Sequence, residues 1–327
     1  MNVHAQKRPR NSRWSRDPIV DGGAPVVARI TDRDVEIFKL LSRYHYLPSD
    51  DIHAFVGGGL VHLTRRLDLL QHKPNCYLNR PHQQRENAEA NYRRLIYELD
   101  EPGSRVLRDR GLPFRPKTYH RNFAHELMVC RIMASIELGG RADPSLRLIS
   151  WQEILASDRT PQPTRTAPRP ERIPVAYEIR HEQCRTEISA DAFPFGIERS
   201  ASGKRSFVFF PGIEADCATE PLDTNDVERS SIYKKLAAYR AIVSQDIHRT
   251  HFGFPNFFVP FITTSDTRMQ SMMKLVNRIT DGKGSKIFLF KTFPAFTSYE
   301  KPPPPTEHML TQPWRRVGYP DFFLNKE

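Results

Sequence analysis

The sequence predicts a mixed α/β protein with a small helical domain ahead of it, and three observations lead there. Short amphipathic helices that end in a strand-like segment fill residues 29–118. A long apolar helix, three strand-like segments and a helix–strand alternation fill residues 119–299. Residues 1–28, basic among Pro, Ser and Asn, residues 157–174, rich in Pro and Arg, and residues 300–327, which open on Pro302 to Pro305, read as irregular segments. At 327 residues the chain has room for two cores of ordinary size.

Lys7, Arg8, Arg10, Arg13 and Arg16 sit among Pro, Ser and Asn, so residues 1–28 read as a disordered basic arm. The text TDRDVEIFKLLSRYHY then opens on a Thr-x-x-Asp cap and puts Val35, Phe38 and Leu41 on one helical face. A short helix follows in LPSDDIHAFVGGG, capped by Ser49 and broken by Gly57 to Gly59. In LVHLTRRLDLLQHK, Leu63, Leu67 and Leu70 point inward, while His62, Arg65, Arg66 and Gln71 point elsewhere. Pro74 and Asn75 introduce the strand-like CYLNR. Helix, helix, basic helix and hairpin is the order of a winged helix-turn-helix, with the third helix as the reading helix. Thr64, Arg65, Arg66, Lys73 and Arg80 are the candidate DNA contacts, because guanidinium forks suit phosphates and guanine edges alike.

In the second region, HRNFAHELMVCRIMASIELGG is a long helix ended by glycines. The Pro- and Arg-rich segment 157–174 reads as a linker or long surface loop. Strand signals follow at VAYEIRHE, TEISADAFPFGIE and SFVFFPGIEADC, the last two joined by the turn-forming SASGK. Then come the helix SSIYKKLAAYRAIVSQDI, a β run FFVPFITTS, a helix from Asp266 to Thr280 and the strand KIFLFKTF. An antiparallel meander followed by a crossover is a mixed-sheet α+β arrangement. Trp314, Tyr319, Phe322 and Phe323 equip residues 300–327 to dock on a domain surface.

The net charge of +11 favours a polyanionic partner. Residues 1–120 hold 21 Lys and Arg against 14 Asp and Glu, which points to the N-terminal third for that contact. No apolar run approaches the roughly 20 residues a transmembrane helix needs, and the first 28 residues do not read as a signal peptide. Cys76, Cys130, Cys184 and Cys217 form no metal-ligand spacing and read as reduced thiols of a cytoplasmic protein. No P-loop, GxSxG or Cys/His nucleophile pattern is present.

Alternation along the strand through Ile213 puts Glu214 and Asp216 on one face. Paired through SASGK, Asp191 lies about as far before the turn as Glu214 lies after it. Three carboxylates converging at one sheet end suit Mg2+ or Mn2+ and a phosphodiester. Lys235, at the border of the packing face of the next helix, would steady the transition state, and Glu126 is a weaker outer ligand. The bland alternative is solvent-facing acids and a surface lysine pair.

With these residues in place the chain resembles the replication-relaxation family of bacterial plasmids and mobile elements, roughly from Thr31 to Phe293. The likeness rests on ITDRDVEIFKLLSRYHYL, HLTRRLDLL, HEL, SADAF, GIEADCATE and KLAAY, in that order. It implies a winged helix followed by a degenerate domain similar to the PD-(D/E)xK nucleases. Asp191 then matches the acid of the second core strand. The Glu-x-Lys of the third is Glu214-Ala215-Asp216 here, so its lysine is missing and Lys235 is the replacement that fits. Pro211-Gly212 would force a bulge just before the acids. The function implied is a DNA-binding protein acting in plasmid or mobile-element replication, relaxation or transfer, with metal-dependent nicking as its enzymatic form. The alternatives are a non-catalytic initiation or regulatory factor on double-stranded DNA, and an adaptor that recruits a relaxase or replisome component.

Overall fold

The computed structural model describes residues 14–85, 95–114, 122–201, 203–226, 229–293 and 308–326. The chain divides into two compact units, Met1–Ala134 with Ser298–Pro305 and Ser135–Thr297 with Thr306–Glu327.

The first unit begins with a small hairpin, β1 (Val20–Asp21) and β2 (Ala24–Pro25). Lys7, Arg8, Arg10 and Arg13 lie outside the described residues, but residues 14–28 differ from the expected arm. Arg16 pairs with Asp100 at 2.9 Å and donates to the carbonyls of Gln71 and Leu78. The buried amide of Asn75 accepts from the Ala28 N–H and donates to the Val26 and Leu69 carbonyls, which fastens the segment down.

Helix α1 (Asp32–Tyr44) starts on the expected capping box between Thr31 and Asp34 and buries Val35, Ile37, Phe38, Leu40 and Leu41. A two-residue strand β3 (Leu47–Pro48) leads to α2 (Ser49–Val56), whose N-cap is Pro48 rather than Ser49. Gly57 and Gly58 then adopt φ of 66° and 75°, a left-handed turn that a side chain would strain. The turn is pinned, because Arg33 donates to the Gly57 carbonyl and His53 Nε2 lies 2.6 Å from the Gly58 carbonyl. Helix α3 (Leu60–Gln71) buries Leu63, Leu67 and Leu70 as expected, and Gln71 as well.

After β4 (Leu78–Asn79), a 3-10 turn (His82–Arg85) and β5 (Ile96–Leu99), the three short strands pair antiparallel in the order β3-β5-β4. Helix α4 (Glu101–Asp109) follows, capped by Asp100. The long helix α5 (Phe123–Ala142) contains the division between the units. Its first half belongs to the first unit. Arg131 forms a two-point pair with Asp51 at 2.8 and 3.1 Å, both side chains buried, and Phe123 packs edge-on against Tyr46.

The second unit holds an antiparallel sheet in the order β10-β9-β6, from β6 (Leu146–Ile149), β9 (Phe195–Ala201) and β10 (Lys204–Phe210). Between β6 and β9 lie α6 (Trp151–Ala156), α7 (Gln162–Thr166) and the hairpin of β7 (Ile173–Ile179) and β8 (Glu182–Ile188). Segment 157–174 is therefore not a free loop. Thr160 and Thr164 are buried, Thr164 donates to the His251 carbonyl, and His251 Nε2 meets the Pro170 carbonyl at 2.9 Å.

The second sheet runs β11-β12-β13-β14: β11 (Glu214–Asp216), β12 (Val259–Thr263) and β13 (Ser285–Thr292) are parallel, and β14 (Arg315–Val317) is antiparallel at the edge. Helices α8 (Ile232–Ser244) and α9 (Ile247–Phe252) connect β11 to β12, and α10 (Asp266–Ile279) connects β12 to β13. Parallel neighbours require such crossovers. The core between strands and helices is aromatic: Phe209, Phe252, Phe257, Phe261, Phe288, Phe290 and Tyr239 are all buried. After a short helix α11 (His308–Thr311), the tail docks as expected. Trp314 is buried, Phe322 stacks on Phe258 at 4.7 Å, and buried Lys291 donates to the His308 and Gln312 carbonyls.

The expected single strand through Ile213 is broken where Pro211-Gly212 stands. Pro211 lacks a ladder N–H, and Gly212 has φ 131°. The chain leaves the antiparallel sheet there and joins the parallel one. Asn256 covers the junction, its Oδ1 accepting from Phe209 N at 2.8 Å and its Nδ2 donating to the Phe207 carbonyl at 2.7 Å. A Cβ on Gly212 would collide with the Ala192 carbonyl and with Ala190. Gly212→Ala should therefore destabilise the second unit by at least about 2 kcal/mol in a urea melt, from strain and steric clash together.

Candidate functional site

Two places in the chain carry the residues picked out by spacing, one in each unit. In the first unit they are on α3 and just beyond it. Arg66 is not presented outward. Its Nε and NH2 lie 2.9 and 2.6 Å from the two carboxylate oxygens of buried Asp34, and NH2 also reaches the Arg29 carbonyl. Burial alone would raise the Asp34 carboxyl, but the hydrogen bonds from Arg66 and Thr31 hold it below the usual carboxylate range. Arg66 thus locks α3 to α1.

Arg80 is also corrected, because it is buried, with NH2 2.8 Å from Asp68 and the guanidinium over the Tyr97 ring. Thr64, Arg65 and Lys73 are exposed, and among the described residues neither Arg65 nor Lys73 makes an ion pair. Helical phase against Leu63, Leu67 and Leu70 puts Arg66 at the border of the packing face and Arg65 opposite it, but that Asp34 is the partner Arg66 meets depends on how α1 packs. Asp34→Ala removes a cap and leaves Arg66 unpaired, so it should cost on the order of 3 kcal/mol in a denaturant melt of the intact chain.

In the second unit, Asp191 precedes β9, and its backbone N–H donates to the Ile213 carbonyl at 2.9 Å. Its Oδ2 accepts from the Ala215 N–H at 2.8 Å. The SASGK hairpin keeps one register from Ala201↔Lys204 to Phe195↔Phe210, and extending it puts Asp191 beside Glu214. Glu214 is buried and engaged at both oxygens, by Lys235 Nζ at 2.9 Å and by the Tyr239 hydroxyl at 2.6 Å. Lys235 also meets Glu220 at 3.0 Å. Asp216 accepts from Arg268 at both oxygens, at 2.9 and 3.2 Å, and from the Thr263 hydroxyl at 2.8 Å. Arg268 donates as well to the Glu220 carbonyl.

Asp191, Glu214 and Lys235 therefore come together, while Asp216 faces a different cation. Glu126 belongs to the first unit, where His45 Nδ1 engages it at 3.0 Å. Spacing missed Glu220, Tyr239 as a hydrogen-bond donor, Thr263 and Arg268. Tyr239 one helical turn after Lys235 was a usable signal, whereas Arg268 is brought in by a crossover that no local pattern records.

Burial pushes the Glu214 carboxyl up to about 7, and the Asp191 charge adds to it against the pull of Lys235 and Tyr239. Burial opposes the Lys235 ammonium, yet Glu214, Asp191 and Glu220 outweigh it and raise its pKa. Glu214 rises chiefly from burial, whereas Lys235 rises because several acids face its one ammonium. Burial also raises the Cys217 thiol to about 11, helped by Asp216 and Asp191, so it is protonated at neutral pH.

The proposed metal ligands do not fit a divalent ion as placed. Both oxygens of Glu214 and of Asp216 are taken by donors, and one oxygen of Asp191 by a backbone N–H. Among the described residues, no group of three or more His, Cys, Asp or Glu side chains could hold a metal ion.

These features define a two-unit α/β protein with an outward basic helix in one unit and an ion-paired acid cluster at a parallel-strand end in the other. The family model described as Replication-relaxation matches residues 38–256, more than half of the chain, and the protein belongs to that family. No curated protein and no solved structure matches it. Among the described residues, no helix is long and apolar enough to cross a membrane.

The Glu214 shift has a testable sign. A carboxyl raised from 4.5 to about 7 in the folded chain contributes stability below 4.5 that is lost as pH rises through about 7. Urea melts between pH 4.5 and 8 should show the wild type losing up to about 3 kcal/mol relative to Glu214→Gln across that window. Parallel pH profiles of the two proteins would contradict the shift.

Proposed function

We propose that the protein is a DNA-binding factor acting in the replication or relaxation of a plasmid or mobile element, in the cytoplasm. In this reading the first unit docks on duplex DNA and the second serves as a non-hydrolytic platform. The observation that carries the first part is the exposed stripe of α3, with Arg65 in no ion pair among the described residues, Thr64 exposed next to it, and Lys73 exposed two residues past the helix end. The element order α1-β3-α2-α3-β4-β5, with strands paired β3-β5-β4, is that of a winged helix, whose third helix enters the major groove. Family membership supports the replication context.

The non-hydrolytic part rests on internal neutralisation. Lys235 and Arg268 occupy the carboxylates that a nuclease-like site would turn toward a metal ion. The donors are protein groups held by α8 and α10, so a divalent ion would have to displace ion pairs already made. The partner class in this reading is a relaxase or another replication protein, supported by the family's replication context.

Arg65→Ala/Lys73→Ala should weaken duplex affinity at least tenfold and make the plot of log K against log salt shallower by about one to two units. Unchanged binding would remove α3 from the interface. Incubation with supercoiled plasmid and Mg2+ or Mn2+ should give no relaxed or linear product. Product that disappears in Glu214→Ala/Asp216→Ala would overturn the non-hydrolytic reading in favour of metal-dependent nicking.

A further inference from the structure

Helix α3 leaves large apolar side chains in solvent. Val61 is 62% exposed and Leu60 44%, although Leu63, Leu67 and Leu70 already fill the core beneath the helix. At 100° per residue, Val61 and Arg65 fall on the stripe opposite those leucines, one turn apart. Asp68, the one acid within α3, is matched by Arg80 at 2.8 Å, so an unopposed carboxylate does not repel a polyanion from this stripe.

The stripe is also held in place. The Gly57-Gly58 turn is pinned by Arg33 and His53, and the Arg66–Asp34 fork fixes the middle of the helix. A valine left 62% exposed gains little from folding. Its chemistry matches the one apolar group a duplex displays in the major groove, the 5-methyl of thymine.

We infer that Val61 and Arg65 form a two-residue reading pair, Val61 packing on a thymine methyl and Arg65 donating to a guanine edge close by. The inference rests on the DNA-binding reading above and deepens it to sequence choice. Four residues of helix rise about 6 Å, close to two base steps of about 3.4 Å, which sets the separation of the two bases.

The test uses the full-length protein. Duplexes are selected from a random-sequence pool, and the preferred one is resynthesised with deoxyuridine at each thymine in turn. At one thymine, within about two base pairs of a guanine whose replacement is felt by the wild type and not by Arg65→Ala, loss of the methyl should weaken binding about fourfold. Val61→Ala should abolish that uracil effect while binding duplex, and Val61→Thr, which keeps a methyl, should retain part of it.

A uracil series that is flat at every thymine in a protein that binds duplex overturns the reading pair and leaves the DNA-binding reading standing. A uracil effect that persists in Val61→Ala also overturns the assignment. Absence of duplex binding at low salt overturns both together. If Val61→Ala instead dissolves a dimer in sedimentation and the uracil effect is absent, the stripe is a self-association surface.

Discussion

The second unit depends on one backbone constraint, the break at Pro211-Gly212. A proline without a ladder donor and a residue at φ 131° end β10 and turn the chain into a different, parallel sheet. That turn brings the Ile213 carbonyl to the Asp191 N–H and the Ala215 N–H to the Asp191 carboxylate. Glu214 follows as the first residue of β11, a three-residue strand that is buried throughout. The acid cluster, the parallel strands and the Asn256 junction all follow from it.

Once acids are buried, something must neutralise them, because an unpaired carboxylate in an apolar core is far costlier than a paired one. The chain does so with side chains from the two crossover helices. Lys235 and Tyr239 come from α8, and Arg268 comes from α10. Each cation ties a helix to β11, so the pairs act as fasteners as well as charge balance. Burial first, and then the Asp191 charge, push the Glu214 carboxyl up against the pull of Lys235 and Tyr239. The first unit uses the same device where Arg66 meets Asp34 and Arg131 meets Asp51, with charge spent on assembly. What remains outward on α3 is a short stripe that folding does not use.

Much of this was legible from local chemistry. The Thr31–Asp34 box, the Leu63-Leu67-Leu70 face and the SASGK hairpin depend on neighbours a few residues away, and their spacing records them. The approach of Asp191 to Glu214 could be read by counting out from that hairpin, because an antiparallel register is linear in sequence. The arm and the Pro/Arg segment were less legible. Arg16, Asn75 and Thr164 find their partners 87 or fewer residues away, and composition says nothing of such pairing.

The amino-acid sequence by itself determined the two-part α/β architecture, the helix carrying the basic face, the strand carrying the acids, and the family to which the chain belongs. Tertiary structure alone decided which partner each charge meets. Helical phase turns Arg66 toward the packing border and Arg65 away from it, but only the packing of α1 on α3 gives Arg66 the Asp34 carboxylate. Glu214 and Asp216 share a strand face, and only the crossovers bring each a different cation. Charge pairing between elements is a long-range relation with no period in the sequence, whereas periodicity records only what a residue's near neighbours require.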